Sequence, residues 1–268
     1  MKIGFIGGGN IAQAIISGII LNGFSPENIS FCDSSAETKA MVSEKYGTIP
    51  KSSIEEVHRD SDVIFFAVKP YILESVLLEI REFAAAEPKL LVSIAATKSL
   101  EFIGSILNCP VPTARIMPNI NASVGESMTW ATYNPLVSGQ QKEIVKSIVE
   151  QFGGYIEIEE SQDAVVSALC GSTPAFGYLF VEALAKGAHK LGLNKKEALR
   201  LAAQTMLGSA KLILETGEHP NVLADRVCTP GGTTIDGVCK LDEKAFTDTV
   251  VAGYEAIVEK TERLAKKK

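Results

Sequence analysis

The chain has little of what disulfide scaffolds, zinc sites and histidine-based hydrolases require. Its 268 residues include only five cysteines and three histidines. The cysteines are dispersed, without the spacing of a metal or redox motif, and such a set is typical of a protein in a reducing compartment. The histidines also stand apart from other candidate ligands. We therefore expect no bound metal and no catalytic triad built on histidine.

The sequence also lacks a basic surface and a long apolar run. Its formal net charge is −6, whereas binding to nucleic acid or to an anionic membrane needs a basic face. The one basic cluster, Lys266-Lys267-Lys268, is explained by a solvated terminus. No apolar run approaches the roughly 20 residues that cross a bilayer, and a strand predicted from Ile3 onward leaves no room for a leader peptide. We expect a cytoplasmic protein that binds neither nucleic acid nor membrane.

The first part of the chain alternates short apolar runs with amphipathic stretches. The apolar or β-branched runs predict strands buried on both faces of a parallel sheet. Their alternation with helices predicts right-handed crossovers and an open, doubly wound α/β sheet. The predicted strands are residues 3–6, 29–32, 63–68, 90–95, 113–117, 128–131 and 155–158. The predicted helices between them include residues 11–21, 36–45 and 71–83.

After Ser161 the strand signals stop and long helical periods begin. Residues 163–190, 195–215 and 244–265 are rich in Ala, Leu, Glu and Lys, which favour helix. We predict a dinucleotide-binding α/β domain over residues 1–160 and an all-α domain over residues 161–268. The helix over 163–190 is apolar around most of its circumference, so it must be covered on several sides. It is either the core helix of a monomer or part of a dimer interface, and we favour the dimer.

A glycine-rich turn follows the first predicted strand. The segment Gly7-Gly8-Gly9-Asn10-Ile11-Ala12 has the G-x-G-x-x-A spacing of a dinucleotide-binding turn. Gly7 allows the tight turn, Gly9 lets the backbone approach a pyrophosphate, and Ala12 keeps the helix close to the sheet. The pyrophosphate would meet free N–H groups and the positive end of the helix. This turn predicts a bound NADH or NADPH.

Further cofactor contacts are expected where other strands end, because ligands of open α/β sheets collect at that edge. Asp33 closes the second strand, where a carboxylate binds ribose hydroxyls and favours NAD. Ser34, Ser35 and Lys39 follow it and could instead hold a 2′-phosphate, so both cofactors remain open. The predicted cofactor-binding residues are Ile6, Gly7, Gly8, Gly9, Asn10, Ile11, Ala12, Asp33, Ser34, Ala67, Val68, Lys69, Pro70, Ile94, Ala95 and Ala96.

A second unusual segment, Thr229-Pro230-Gly231-Gly232-Thr233-Thr234, interrupts the helical domain. Its proline and glycines break any helix and leave backbone N–H groups free. If a helical turn begins at Ile235, the segment becomes an anion-binding helix N-terminus with additional hydroxyl donors. A small carboxylate fits there. An ordinary connector between helices would need the glycines but not the paired threonines.

This segment resembles the signature of pyrroline-5-carboxylate reductases, which catalyse the last step of proline synthesis. It stands in family order with several other segments, and the resemblance extends from Lys2 to about Lys260. The combination of the threonine–glycine loop with the Met-Pro-Asn segment is the specific part. The other segments are Ala67-Val68-Lys69-Pro70, Arg115-Ile116-Met117-Pro118-Asn119, Val124-Gly125-Glu126, Gly171-Ser172 and Pro174-Ala175. The sequence departs from the family pattern at Ile120, Asn121, Cys170 and Thr173.

The resemblance implies a Rossmann-type N-terminal domain followed by an all-α dimerisation domain, in dimers that can assemble into decamers. It implies reduction of 1-pyrroline-5-carboxylate to L-proline by NADPH or NADH, in a pocket completed by the partner's helical domain. The backbone donors of Gly231, Gly232, Thr233 and Thr234 would then bind the substrate carboxylate. Thr234 would also hydrogen-bond the ring nitrogen, as the residue closest to the chemistry. Asn119 is a further substrate contact on this view, and Ser53 lies near a position that usually contacts the cofactor.

Two other functions remain to be weighed against this one. A β-hydroxyacid dehydrogenase needs a lysine shortly after the glycine-rich stretch that opens its second domain, but after Gly171 no lysine occurs until Lys186. A non-catalytic sensor of NAD(P)H would have no reason to keep a carboxylate-binding loop. No histidine, lysine or carboxylate stands out as a general acid, which fits a substrate that arrives as a protonated iminium. Thr234 is therefore assigned to orientation.

Overall fold

The computed structural model describes residues 1–265, so the terminal run Lys266 to Lys268 lies outside the described residues. The chain divides into two compact units. Of the described residues, the first unit comprises 1–172 and 258–265, and the second comprises 173–257. The first unit is built around a sheet and the second is helical, as the sequence predicts.

A single eight-stranded sheet forms the centre of the first unit. Its strands are β1 (Ile3–Ile6), β2 (Ile29–Cys32), β3 (Ile49–Pro50), β4 (Val63–Phe66), β5 (Leu90–Ser93), β6 (Thr113–Met117), β7 (Ser127–Tyr133) and β8 (Gly153–Glu157). The spatial order is β3-β2-β1-β4-β5-β6-β7-β8. β1 to β6 are mutually parallel, whereas β7 runs antiparallel to β6. The order reverses between β1 and β4, which is the switch point where Rossmann sheets bind ligands.

Every predicted strand is present, and those at residues 3–6, 29–32 and 113–117 have the predicted bounds. β1, β2, β4 and β5 are buried along their whole length, because helices cover both faces of the sheet. The sequence analysis missed β3. Its Ile49–Pro50 pair is exposed and too short to show an apolar run.

Six α-helices lie between consecutive strands of the first unit. They are α1 (Asn10–Leu21), α2 (Ala36–Tyr46), α3 (Ile54–Asp60), α4 (Leu73–Ala86), α5 (Leu100–Leu107) and α6 (Gly139–Val149). The hydroxyls of Ser35, Ser53, Ser99 and Ser138 accept a backbone N–H from the first turn of α2, α3, α5 and α6, respectively. α1 packs in one apolar cluster with β1, and α4 packs in a second cluster with β4.

The helix predicted over residues 163–190 is interrupted. It consists of α7 (Asp163–Ser167), a π-helical turn (Ala168–Ser172) and α8 (Pro174–Lys190). Pro174 has no N–H for the carbonyl of Cys170 four residues earlier, and its ring crowds that carbonyl. The Asn119 side chain donates to the Cys170 oxygen instead, over 2.8 Å. The interruption is therefore a consequence of Pro174.

The helical stretch from Glu160 to Lys190 is more apolar than the sequence analysis expected. Its most apolar window has a mean hydropathy of 1.5, and only 11% of that window is buried. By length and composition alone, this one stretch among the described residues could cross a membrane. A core helix of a soluble assembly passes the same test, because it too must be covered on all sides.

The second unit contains α8, α9 (Lys195–Thr216), α10 (Pro220–Val227), α11 (Thr233–Glu243) and most of α12 (Phe246–Ala265). α9 and α12 follow the predicted helices closely. The short α10 had no prediction, and α11 was considered only as a helical turn beginning at Ile235. Within residues 173–257, all of which are described, only Ala185 and Ala198 are buried. The unit therefore presents most of its apolar side chains to its surroundings.

Gly18 on α1 provides a test of how closely this helix packs. A Cβ at Gly18 would lie 2.4 Å from the Cβ of Phe152 and 2.7 Å from the carbonyl oxygen of Ala122. We expect Gly18→Ala to lower the free energy of unfolding by about 1–3 kcal/mol, because packed atoms must move. Gly104→Ala in α5 is the matched control. A Cβ there meets nothing within 4 Å, so the better helix propensity should raise stability by about 0.5–1 kcal/mol. Urea unfolding measures both, and a loss of stability in both variants would contradict this packing.

Candidate functional site

The glycine turn between β1 and α1 lies at the switch point of the sheet. Gly7 has a φ of +102°, and a Cβ there would lie 2.5 Å from the carbonyl oxygen of Ala67. Only glycine fits this position. The Gly7 N–H donates to the carbonyl of Cys32 over 2.8 Å. The turn is thus held between the ends of β2 and β4.

The N-terminus of α1 is open to a ligand. Gly9 is its N-cap residue, and no side chain caps the first turn. A Cβ added to Gly9 would meet no atom within 4 Å, so the backbone here faces free space. Uncapped N–H groups and the helix dipole both favour an anion at this point. The first turn of α1 therefore fits a pyrophosphate.

Asp33 braces the glycine turn from the end of β2. Its Oδ2 accepts the N–H of Gly8 over 2.8 Å, and its Oδ1 accepts the N–H of Ser35 over 2.9 Å. The neighbouring Ser34 is exposed. Burial, together with the charges of Glu79 and Asp33, raises the pKa of Cys32 to about 12. Cys32 is therefore a neutral thiol that packs beside the site.

The segments that follow β4 and β5 lie along the same edge of the sheet. The N–H of Ala67 donates to the Ile6 carbonyl over 2.8 Å, and the N–H of Ile94 donates to the Phe66 carbonyl over 3.2 Å. β4 and β5 both end earlier than predicted, because the N–H bonds of Ala67 and Ile94 are the last that tie each segment to its neighbouring strand. Ala95 is buried, whereas Ala96 is exposed. The structure thus places the predicted segments 67–70 and 94–96 in neighbouring loops at the switch-point edge.

Ser53 and Asn119 have structural partners that the sequence did not reveal. The Ser53 hydroxyl accepts the N–H of Glu56 over 3.2 Å and caps α3. Asn119 is 6% exposed. Its side-chain oxygen accepts the N–H of Asn121 over 2.8 Å, and its side-chain nitrogen donates to Cys170. The Asn119 amide therefore joins the end of β6 to the π-helical turn.

Arg115 received no individual role from the sequence, although it lies in a buried strand. Its side chain is 2% exposed. Nη1 lies 2.5 Å from Glu160 Oε1, and Nη2 lies 2.8 Å from Asp163 Oδ2. The guanidinium carbon is 5.3 Å from the centroid of the Trp130 ring. An arginine inside an otherwise apolar strand was the available signal, because a buried charge requires partners.

The threonine–glycine segment of the second unit forms a tight turn and a helix start. Gly231 has a φ of +68°, and the Gly232 N–H donates to the Thr229 carbonyl over 2.9 Å. Pro230 and Gly231 thus occupy the central positions of a turn that requires glycine. α11 begins at Thr233, earlier than the start at Ile235 considered from the sequence. Gly232 is its N-cap residue, no side chain caps it, and Thr233 and Thr234 are exposed in the unit.

Titratable side chains do not assemble into a metal centre in the described part of the chain. Within residues 1–265, no group of three or more His, Cys, Asp or Glu side chains could hold a metal ion. Several helices begin without a side-chain cap, and among them α1 and α11 each follow a glycine turn, with Gly9 and Gly232 as their N-cap residues. These two N-termini are the features best suited to ligands.

Comparisons with known protein families match both parts of the chain. Residues 160–264 match the family model described as pyrroline-5-carboxylate reductase dimerisation. Residues 2–97 match the model described as NADP oxidoreductase, coenzyme F420-dependent. The second match covers the glycine turn and β1 to β5 of the sheet, features that many oxidoreductases share.

Individual relatives match nearly the whole chain. The pyrroline-5-carboxylate reductase of Escherichia coli (strain K12) is 40% identical over 266 residues, which cover 99% of this chain and 98% of that protein. The structure of a pyrroline-5-carboxylate reductase from Coxiella burnetii has a TM-score of 0.91 at 32% identity and covers 98% of both chains. Plasmodium falciparum pyrroline carboxylate reductase with NADP bound has a TM-score of 0.87 at 30% identity, over 99% of this chain and 98% of that one. This chain belongs to the pyrroline-5-carboxylate reductase family.

Proposed function

We propose that this oxidoreductase reduces 1-pyrroline-5-carboxylate to L-proline, the last step of proline biosynthesis, with NADPH or NADH. The observation that carries the proposal is the turn at Gly231 and Gly232, which opens α11 at a helix N-terminus that has no side-chain cap and carries exposed threonines. Such an N-terminus binds a small carboxylate. A chain that only sensed the cofactor would not need it.

The cofactor would lie along the switch-point edge of the sheet. The glycine turn and the first turn of α1 would hold its pyrophosphate, and Asp33 with Ser34 would face the adenosine ribose. The loops after β4 and β5 would line the nicotinamide. The proposed cofactor-binding residues are Ile6, Gly7, Gly8, Gly9, Asn10, Ile11, Ala12, Asp33, Ser34, Ser53, Ala67, Val68, Lys69, Pro70, Ile94, Ala95 and Ala96. When bound, NAD(P)H supplies the hydride that reduces the carbon of the C=N bond.

The substrate carboxylate would lie against the turn formed by Gly231, Gly232, Thr233 and Thr234. Because the Gly232 N–H already donates to the Thr229 carbonyl, the backbone N–H groups of the other three residues would hold the carboxylate. The Thr234 hydroxyl would then orient the ring nitrogen, so that the C=N carbon faces the hydride donor. Asn119 would contact the substrate through the second N–H of its side-chain amide, since the first is bonded to Cys170. These residues orient the substrate, and none of them is acidic enough to protonate it.

The nitrogen must carry a proton once the C=N bond has been reduced. A threonine hydroxyl is too weak an acid to supply it outright, and no other acid is among the proposed substrate contacts. We propose that the substrate binds as a protonated iminium, or takes its proton from a bound water. The chain would then contribute orientation and an anion site rather than general acid catalysis.

The exposed apolar surface of the helical unit supports a homodimer. α8 presents Leu179, which is 68% exposed, and α9 presents Leu214, which is 84% exposed. Surfaces of this kind resemble a core cut in half and are covered in obligate dimers. We propose that the partner's helical domain completes the substrate pocket and that dimers assemble further into decamers. A domain boundary near residue 160 would then separate the cofactor domain from this dimerisation domain.

The proposed location is the cytoplasm. All five cysteines, at positions 32, 109, 170, 228 and 239, are free, which suits a reducing compartment. The apolar stretch from Glu160 to Lys190 would be covered by the second subunit rather than by lipid. The alternative of a membrane span is disfavoured by its position beside α9, against which α8 packs.

A steady-state assay tests the reaction. We expect NADPH or NADH to be oxidised when 1-pyrroline-5-carboxylate is added, with weaker turnover on cyclic imines of other ring sizes or without a carboxylate. Reduction of NAD⁺ or NADP⁺ by β-hydroxyacid substrates, without turnover of 1-pyrroline-5-carboxylate, would favour the dehydrogenase. Cofactor binding without any turnover would favour the sensor, and either outcome would end the proposal.

Thr234→Ala tests the orienting hydroxyl. Turnover should fall by about tenfold to a hundredfold, because a loosely oriented substrate reaches the reactive geometry less often. The dissociation constant for NADPH, measured by fluorescence titration, should stay at the wild-type value. Thr234→Ser keeps the hydroxyl and should recover most of the lost turnover. Wild-type kinetics for the alanine variant would rule out this role.

Asp33→Ser tests the ribose contact. Both dissociation constants should rise, because the carboxylate that braces Gly8 and Ser35 is lost. NADH should weaken more, by about tenfold, since it also loses a charged acceptor for its ribose hydroxyls. The preference therefore moves toward NADPH. Asp33→Asn, which keeps one acceptor oxygen, should shift the preference with less general weakening. Equal losses of affinity for NADH and NADPH would show that Asp33 only supports the glycine turn.

A further inference from the structure

We infer that Arg115 and Glu160 form a positioning pair that anchors the loop joining β5 to α5. This loop comprises residues 94–99, and the proposed function sets its first residues, 94–96, against the nicotinamide. The claim that this loop helps to orient the nicotinamide rests on the proposed function. The claim that Glu160 anchors the loop depends only on contacts within the first unit.

One carboxylate oxygen makes the connection between the pair and the loop. Glu160 Oε1 accepts a hydrogen bond from Arg115 Nη1 over 2.5 Å and one from the backbone N–H of Leu100 over 2.8 Å. Leu100 is the first residue of α5, where N–H groups lack intrahelical partners. Ser99 caps a different donor, the N–H of Phe102. Glu160 thus completes the cap of α5 and places a negative charge at the positive end of the helix.

Arg115 holds that carboxylate in place. Arg115 is buried on β6, whereas the Glu160 side chain is 33% exposed and would otherwise be free to rotate. The guanidinium is fixed in turn by Asp163 and lies over Trp130. Ser167 donates to Asp163 over 2.6 Å and accepts the indole N–H of Trp130 over 3.0 Å. Glu160 is therefore fixed from the interior of the sheet.

The loop itself requires an external anchor. Thr97 has a φ of +66°, a conformation that is strained for a β-branched residue and persists only where the surroundings impose it. The chain leaves the sheet after the Ile94 N–H bonds to the Phe66 carbonyl, and it is tied again at the Leu100 N–H. The second tie runs through Glu160 to Arg115. Loss of this tie should let residues 96–99 relax toward an unstrained conformation.

Hydrogen–deuterium exchange of the cofactor-free protein tests the anchor directly. The reporters are the N–H groups of Phe102 and Ile103, which are protected by bonds to Ser99 at the end of the loop. Glu160→Ala should speed their exchange by about fivefold, the value of one ordinary hydrogen bond. Asp163→Ala is the matched control, because it removes the other carboxylate of Arg115 but leaves the bond between Glu160 and Leu100. Both variants should lose stability, since each strips a partner from a buried charge. Only Glu160→Ala should change exchange at Phe102 and Ile103.

A kinetic measurement distinguishes a role of Glu160 in positioning the loop from a role in protein stability alone. In Glu160→Ala, single-turnover hydride transfer should slow by about tenfold or more, with a larger isotope effect from deuterated cofactor, because the loop no longer fixes the reactive geometry. The dissociation constant for 2′,5′-ADP, which carries no nicotinamide, should not change. Glu160→Gln keeps an acceptor for Leu100 and should recover much of the rate. A variant that is merely unstable would not show this pattern.

Leu100→Pro removes the backbone N–H that donates to Glu160. It leaves the charged side chains of Arg115, Glu160 and Asp163 in place. Proline is well tolerated at the first position of a helix, and Ser99 already has the extended conformation that a following proline requires. Leu100→Ala, which keeps the N–H, is its control. We expect Leu100→Pro, but not Leu100→Ala, to reproduce the faster exchange at Phe102 and Ile103.

The anchor is refuted if Glu160→Ala and Asp163→Ala change exchange at Phe102 and Ile103 equally, or if Glu160→Ala leaves it unchanged. Faster exchange without slower hydride transfer would also overturn the positioning role. Failure of the proposed function has a different signature. In that case the wild-type protein would not turn over 1-pyrroline-5-carboxylate, whatever the exchange of the loop.

Discussion

The nucleotide-binding unit depends on how closely the glycine turn approaches the end of β4. A side chain at Gly7 would collide with the Ala67 carbonyl, so any other residue would push β1 and β4 apart. The strand order reverses between these two strands. The same close approach therefore shapes the sheet and opens the N-terminus of α1 to a ligand. Asp33 adds to this constraint by accepting the Gly8 N–H.

Much of the first unit could be predicted, because its strands are short apolar runs that end where the hydrogen bonding between neighbouring strands ends. This holds for β1, β2 and β6, whose bounds the sequence predicts. β4 and β5 are shorter because Ala67 and Ile94 are apolar yet already leave the sheet. Nothing in a periodic pattern separates an apolar residue in a strand from one in the next loop. The hydrophobic pattern of residues 163–190 likewise does not reveal the interruption before Pro174, because that effect depends on the geometry of the preceding turn.

The partners of site residues were harder to predict, because they lie far apart in the chain. Asp33 and Gly8 are 25 residues apart, and Asn119 and Cys170 are 51 apart. Arg115 and Glu160 are 45 apart. A sequence shows that an arginine sits in an apolar strand but not which carboxylate neutralises it. The motif residues of the glycine turn could be predicted because their constraint is local and depends on backbone conformation alone.

The helical unit explains why the substrate site and the dimer belong together. Residues 173–257 bury only Ala185 and Ala198, and exposed apolar surface costs about 25 cal/mol per Å². A second copy can cover this surface because a two-fold interface brings the same patch from each subunit together. The turn at Gly231 and Gly232 lies in the same unit, and on the proposed function the partner's helical domain would complete its surroundings. The carboxylate site would then belong to the assembled dimer, and its affinity should depend on protein concentration wherever the dimer dissociates.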